Sequence, residues 1–84
     1  MPELSRFYGI VIKMFFLQSE HSPPHIHAIY GDYVGSIDIK TGEVLDGDLP
    51  KKAVGLIREW LDSNRNDVLK IWETQKFKKL PPLV

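Results

Sequence analysis

The chain has 84 residues, with 11 basic and 11 acidic side chains, so its formal net charge is zero. That is one small domain with a thin core; the absence of cysteine excludes disulfide staples, cysteine-containing zinc fingers and cysteine nucleophiles, and the balanced charge excludes a broadly basic nucleic-acid footprint. The longest apolar stretch, Phe7 to Leu17, is interrupted by Lys13, is too short for a membrane span and starts too early to follow the basic leader of a signal peptide, so a soluble cytoplasmic protein with no membrane partner is expected.

In chain order, Phe7 to Phe16 is rich in aromatic and β-branched residues and reads as one long strand. Tyr8, Ile10, Ile12, Met14 and Phe16 alternate onto a uniformly apolar core face, while Phe7, Gly9, Val11, Lys13 and Phe15 share the other. An aromatic beside a cation, as Phe7 and Phe15 are beside Lys13, can stack on a base, although packing is the commoner use of such rings. Gln18 to Pro24 is a polar loop stiffened by Pro23 and Pro24. His25 to Tyr30 and Tyr33 to Ile39 read as two strands joined by Gly31-Asp32, whose leading glycine suits a type II′ hairpin. That turn sets the register: Tyr30, Ala28 and Ile26 oppose Tyr33, Gly35 and Ile37, while Ile29, His27 and His25 oppose Val34, Ser36 and Asp38. A slip of one residue would mix the apolar and polar sets.

Lys40 to Glu43 forms a second turn before a short strand at Val44-Leu45. A strict two-residue loop places Val44 on the core face; a bulge reverses that. The period then changes. Asp48 is the expected N-cap, with Pro50 in the first turn, and Ala53, Val54, Ile57, Trp60 and Leu61 mark an amphipathic helix ending near Ser63-Asn64. Asn64 or Asn66 can cap a second helix through about Lys76, and the proline-bearing tail runs from Phe77 to Val84. Lys76, Lys78 and Lys79, interleaved with Phe77, make the tail basic and able to touch phosphates, although a solvated, frayed terminus is the commoner outcome and the one expected. Trp60 and Trp72 are expected as core anchors. The expected fold is therefore α+β, a four-stranded antiparallel meander over residues 7–46 with two C-terminal helices, over about 49–76, packed on one face of a single domain.

The chemistry-bearing residues cluster. His21, His25 and His27 are spaced H-x3-H-x-H, and His25 and His27, two apart on a strand, point to the same side. The hairpin register adds Asp38 beside His25 and Ser36 beside His27. Three readings follow. Two or three neutral imidazoles can chelate zinc or another divalent metal through His21, His25 and His27. Alternatively, His25, His27 and Asp38 form a metal-free acid–base site of the kind that cleaves RNA. The third reading is a polar sheet surface that happens to carry histidines. The front and back of the chain also differ: residues 1–48 carry three basic and seven acidic side chains, and residues 49–84 carry eight and four. Such halves are either solvated or complementary to a partner.

Arg6-Phe7-Tyr8-Gly9-Ile10, His21-x-Pro23-Pro24-His25-x-His27, Tyr30-Gly31, Val44-Leu45-x-Gly47-x-Leu49-Pro50 and Glu59-Trp60 together resemble the family of bacterial proteins catalogued as domain of unknown function 4160. The resemblance runs from Met1 to about Trp72. It implies a small, stand-alone protein, often encoded beside another small protein of domain of unknown function family 2442, and such pairing implies a toxin–antitoxin-like module. It carries over no activity, only the candidate positions His21, His25 and His27. The resulting expectation is one member of such a pair, with the histidine face as its working surface and RNA cleavage as its chemistry. The alternatives are a non-enzymatic module that binds a neighbour-encoded small protein or a second copy as a homodimer, and a divalent-metal-binding protein.

Overall fold

A computed structural model of the chain describes residues 3–14 and 24–83. Five strands form one antiparallel meander in the order β1 (Glu3–Phe7), β2 (Ile10–Lys13), β3 (His25–Tyr30), β4 (Tyr33–Asp38) and β5 (Val44–Gly47), followed by a single helix, α1 (Lys51–Thr74). The α+β order of strands then helix is as expected. The numbers differ: there are five strands where four were expected, and one helix where two were.

The extra strand arises at Tyr8-Gly9. Both residues have positive φ, 49° and 79°, the pair of left-handed conformations that a type I′ hairpin turn requires. The expected long strand is thus folded on itself, with Phe7 opposite Ile10 and Arg6 opposite Val11. Ile10, Ile12 and Met14 all follow the turn and keep their apolar alternation, which is why the pattern alone conceals it, whereas Tyr8, expected on the core face, is exposed in the turn. The turn also moves Phe7 to the core face, where it is buried and stacks on Trp60 at 5.9 Å, so Phe7 is not an exposed partner for Lys13. Phe15 lies outside the described residues.

The β3–β4 hairpin has all six expected residue pairs, from Tyr30 with Tyr33 to His25 with Asp38. Gly31 sits at φ 61° while Asp32 stays out of the left-handed region, consistent with the type II′ turn. Between β4 and β5 the register shifts after Ser36, so the bulge is real, and Val44 and Leu45 are both exposed.

The helix does not break at Ser63-Asn64. Asn64 occupies a position on the apolar stripe, buried between Trp60 and Val68, and its Nδ2 donates to the Trp60 carbonyl at 2.9 Å. Poor helix formers there cost about 0.5–0.7 kcal/mol each. Each fully buried side chain among Ile57, Trp60, Leu61 and Val68 returns about 1.5–3 kcal/mol when the stripe stays continuous, so burial outweighs propensity. Arg58 and Arg65 tie the same helix to the sheet by donating Nε–H to the carbonyls of Gly42 and Ile39. The N-cap is Pro50, in extended conformation and without a side-chain cap, rather than Asp48.

At its end Gln75 adopts the left-handed conformation and donates its N–H to the Ile71 carbonyl, turning the chain back. The tail is docked rather than frayed. Leu80 is buried and its N–H reaches the Leu4 carbonyl at 2.8 Å, and the Trp60 indole N–H donates to the Pro81 carbonyl at 2.8 Å. The core lies between α1 and one sheet face, built on Leu4, Ile10, Ile12, Ile26, Ile37 and Trp60.

Candidate functional site

Because side chains alternate across a strand, burying Ile26 and Ala28 against α1 turns His25, His27 and Ile29 to the opposite face. No helix covers that face among the described residues. Two rows cross it in register. One runs Arg6, Val11, Ile29, Val34; the next runs Lys13, His27, Ser36, Asp46. Val34 is exposed, whereas His25 and His27 are half-buried.

The two imidazoles stand side by side, with ring centroids 5.1 Å apart and planes inclined at 68°. His27 Nδ1 lies 3.5 Å from the Ser36 hydroxyl, as the register requires. His25 has a second ring neighbour, the Trp72 indole at 5.2 Å. That contact follows from length. A helix of 24 residues spans about 36 Å, while a six-residue strand spans about 20 Å, so α1 overruns the sheet. Lys52 and Leu56, near its start, share a cleft with Tyr30 at the end of β3; its last turns therefore reach the end of the sheet where β3 begins. There the Trp72 indole packs on the His25 ring with the two planes inclined at 54°.

Asp38 sits opposite His25 as the register predicts, and it is buried. Its Oδ1 accepts the backbone N–H groups of Lys40 at 2.8 Å and Thr41 at 3.1 Å. The Asp38 carbonyl accepts the Gly42 N–H at 2.8 Å, so this side chain and backbone together hold the β4–β5 turn. His21 lies outside the described residues. Among the described residues, no three His, Asp or Glu side chains converge as a group able to hold a metal ion.

Two neighbours of the imidazoles have no place in the sequence-level site. Lys13 is the register partner of His27, on the same face. The alternation puts it on the polar face of its strand, but only the β2–β3 pairing brings it to His27, and the long connection between those strands sets no register by its length. Trp72, expected purely as a core anchor, packs partly against the core and partly on His25; nothing local to residue 72 signals the second contact. No helix among the described residues is long and apolar enough to cross a membrane.

Residues 9–73 match the model of a family described as domain of unknown function (DUF4160). No curated protein and no solved structure matches the chain.

Proposed function

The chain belongs to the domain of unknown function (DUF4160) family, and for it we propose a role as one member of a toxin–antitoxin-like pair, with the His25–His27 end of the open sheet face as a site for RNA cleavage by acid–base chemistry. The observation that carries this reading is the imidazole pair at 5.1 Å, with Lys13 across the strand from His27. One imidazole takes the proton of a ribose 2′-hydroxyl, whose oxygen attacks the adjacent phosphorus. The bond from phosphorus to the 5′-oxygen breaks, and the other imidazole, protonated, gives that oxygen its proton. The products are a 2′,3′-cyclic phosphate and a free 5′-hydroxyl, and no metal or co-reactant enters the balance. The Lys13 ammonium supports the extra negative charge on the phosphoryl oxygens in the transition state, and Trp72 positions the His25 ring. Asp38 serves by holding the turn beside His25.

The test is expression of the protein and of the His25→Ala/His27→Ala variant, scored for growth inhibition and for cleavage of a defined RNA by the purified proteins. Loss of both in the variant is expected, together with a bell-shaped pH profile in the wild type. Unchanged toxicity and cleavage would remove the catalytic assignment.

The same ring spacing favours one other reading. Two imidazoles bound to one tetrahedral zinc, at a Zn–N distance of about 2.1 Å, have centroids about 5 Å apart. Zinc held by His25 and His27, with His21 as a further candidate ligand, would raise the thermal midpoint of untagged protein. No shift on adding zinc, and no bound transition metal by elemental analysis, would rule this out.

A further inference from the structure

Away from the imidazoles, the reversal at Gln75 builds a groove of about 360 Å³ between the last turns of α1 and the returning tail. Ile71 lies at its base, and Lys70, Lys76 and Lys78 line it against a single carboxylate, Asp67. Phe77 stands between two of these lysines and is 42% exposed. The tail wall is fixed, because Leu80 is buried and bonded to Leu4, and Pro81 is held by Trp60. A solvated basic face needs no large exposed ring at its centre, and apolar burial alone does not call for three ammonium groups. Cations that follow a phosphate backbone, with an aromatic platform for a base, are the recurrent means of gripping single-stranded nucleic acid. Ile71 and Trp72 are consecutive, so the groove and the indole that packs on His25 belong to the same turn of α1.

We propose that the groove formed by Lys70, Lys76, Phe77 and Lys78 is the substrate-holding site for single-stranded RNA, with phosphates on the lysines and a base stacked on Phe77. The proposal rests on the RNA reading given above and names where that substrate is gripped. It also gives a chain of zero net charge a local way to engage a polyanion: three of its eleven basic side chains line one groove against a single carboxylate.

The experiment is fluorescence anisotropy of a labelled oligouridylate of about twelve nucleotides, titrated with protein carrying His25→Ala and His27→Ala so that the probe is not consumed. Salt is varied from about 50 to about 200 mM. Replacing Lys70, Lys76 and Lys78 together by Gln should flatten the dependence of log affinity on log salt by about 2, at about 0.7 per phosphate contact. Phe77→Ala should weaken binding about 5- to 150-fold. Lys51→Gln, at the opposite end of α1, should change neither. Wild-type affinity and salt slope in the triple variant would overturn the proposal. So would a dimer of the wild type, seen by light scattering, that the triple variant dissolves, since the groove would then hold the acidic front of a second copy. Binding that depends on the groove, with no cleavage by the unmutated protein, would refute the catalytic reading and leave the groove standing. Cleavage with an unchanged KM in the groove variants would do the reverse.

Discussion

Replacing Asp38 separates a structural role from a chemical one. Its Oδ1 accepts two backbone N–H groups, those of Lys40 and Thr41, from a buried position. A hydrogen bond to a charged group contributes about 1.5 kcal/mol at the low end, so Asp38→Ala should cost about 3 kcal/mol. Asp38→Asn keeps an acceptor oxygen and loses only the charge, which should cost about 1 kcal/mol. A domain of this size has about 5 kcal/mol to lose and a urea m-value of about 1 kcal/mol/M. The urea midpoint should therefore fall by about 3 M for the alanine variant and about 1 M for the asparagine variant. Hydrogen exchange supplies the local readout: the amides of Lys40 and Thr41 should lose protection in Asp38→Ala. A midpoint within about 0.5 M of wild type, or unchanged protection at those amides, would refute the assignment of this carboxylate to the turn. Abolished RNA cleavage in Asp38→Asn at an unchanged midpoint would show instead that Asp38 acts on His25.

The remaining predictions concern other parts of the fold. Gly47 has φ 99°, and a Cβ there would overlap the Val34 carbonyl oxygen, so Gly47→Ala should destabilise by more than about 3 kcal/mol. Gly55→Ala, on the helix with open space around it, should stabilise by about 1 kcal/mol in the same denaturation assay. Among the described residues the Ser5 hydroxyl is buried without a hydrogen-bond partner, so Ser5→Ala should raise stability by about 1 kcal/mol; a lower thermal midpoint would show that the hydroxyl is satisfied. The Arg6 guanidinium donates to Glu3 at 2.9 Å and holds its carboxyl below the ordinary value of 4.5. A lowered folded-state pKa gives stability that is present above the unfolded value and lost as pH falls through the folded one. Wild type should therefore be more stable than Glu3→Gln near neutral pH, with the difference vanishing on acidification and shrinking in high salt, since the pair is exposed.

The amino-acid sequence makes legible whatever depends on neighbours close in the chain. Gly31-Asp32 dictates a two-residue hairpin, and a two-residue hairpin leaves one register; His25 beside Asp38 and His27 beside Ser36 follow from that turn alone. The α+β order follows from the change of apolar period after Gly47. The Tyr8-Gly9 turn is hidden because it falls at the start of the expected strand, where Ile10, Ile12 and Met14 all follow it and only Phe7 and Tyr8 change sides, and because tyrosine is an unusual residue at φ 49°. The break expected at Ser63-Asn64 was wrong for a different reason. Local propensity there is weak, and the apolar stripe that overrides it has value only when a sheet lies beneath it.

The amino-acid order by itself determined that His25 and His27 share a face and which β4 residues they meet, because a period of two and a glycine-led turn are properties of a few consecutive residues. Tertiary structure alone decided what surrounds the pair. Lys13 arrives through strand pairing across a long connection, and Trp72 arrives because a 24-residue helix outruns the sheet it covers. The groove at Lys70, Phe77 and Lys78 depends on the reversal at Gln75 and on Leu80, two residues beyond Lys78, whose burial holds the tail back against the helix. Contacts between residues far apart in the chain depend on how whole elements are laid against each other, and that is set by burial of the shared core rather than by any local pattern.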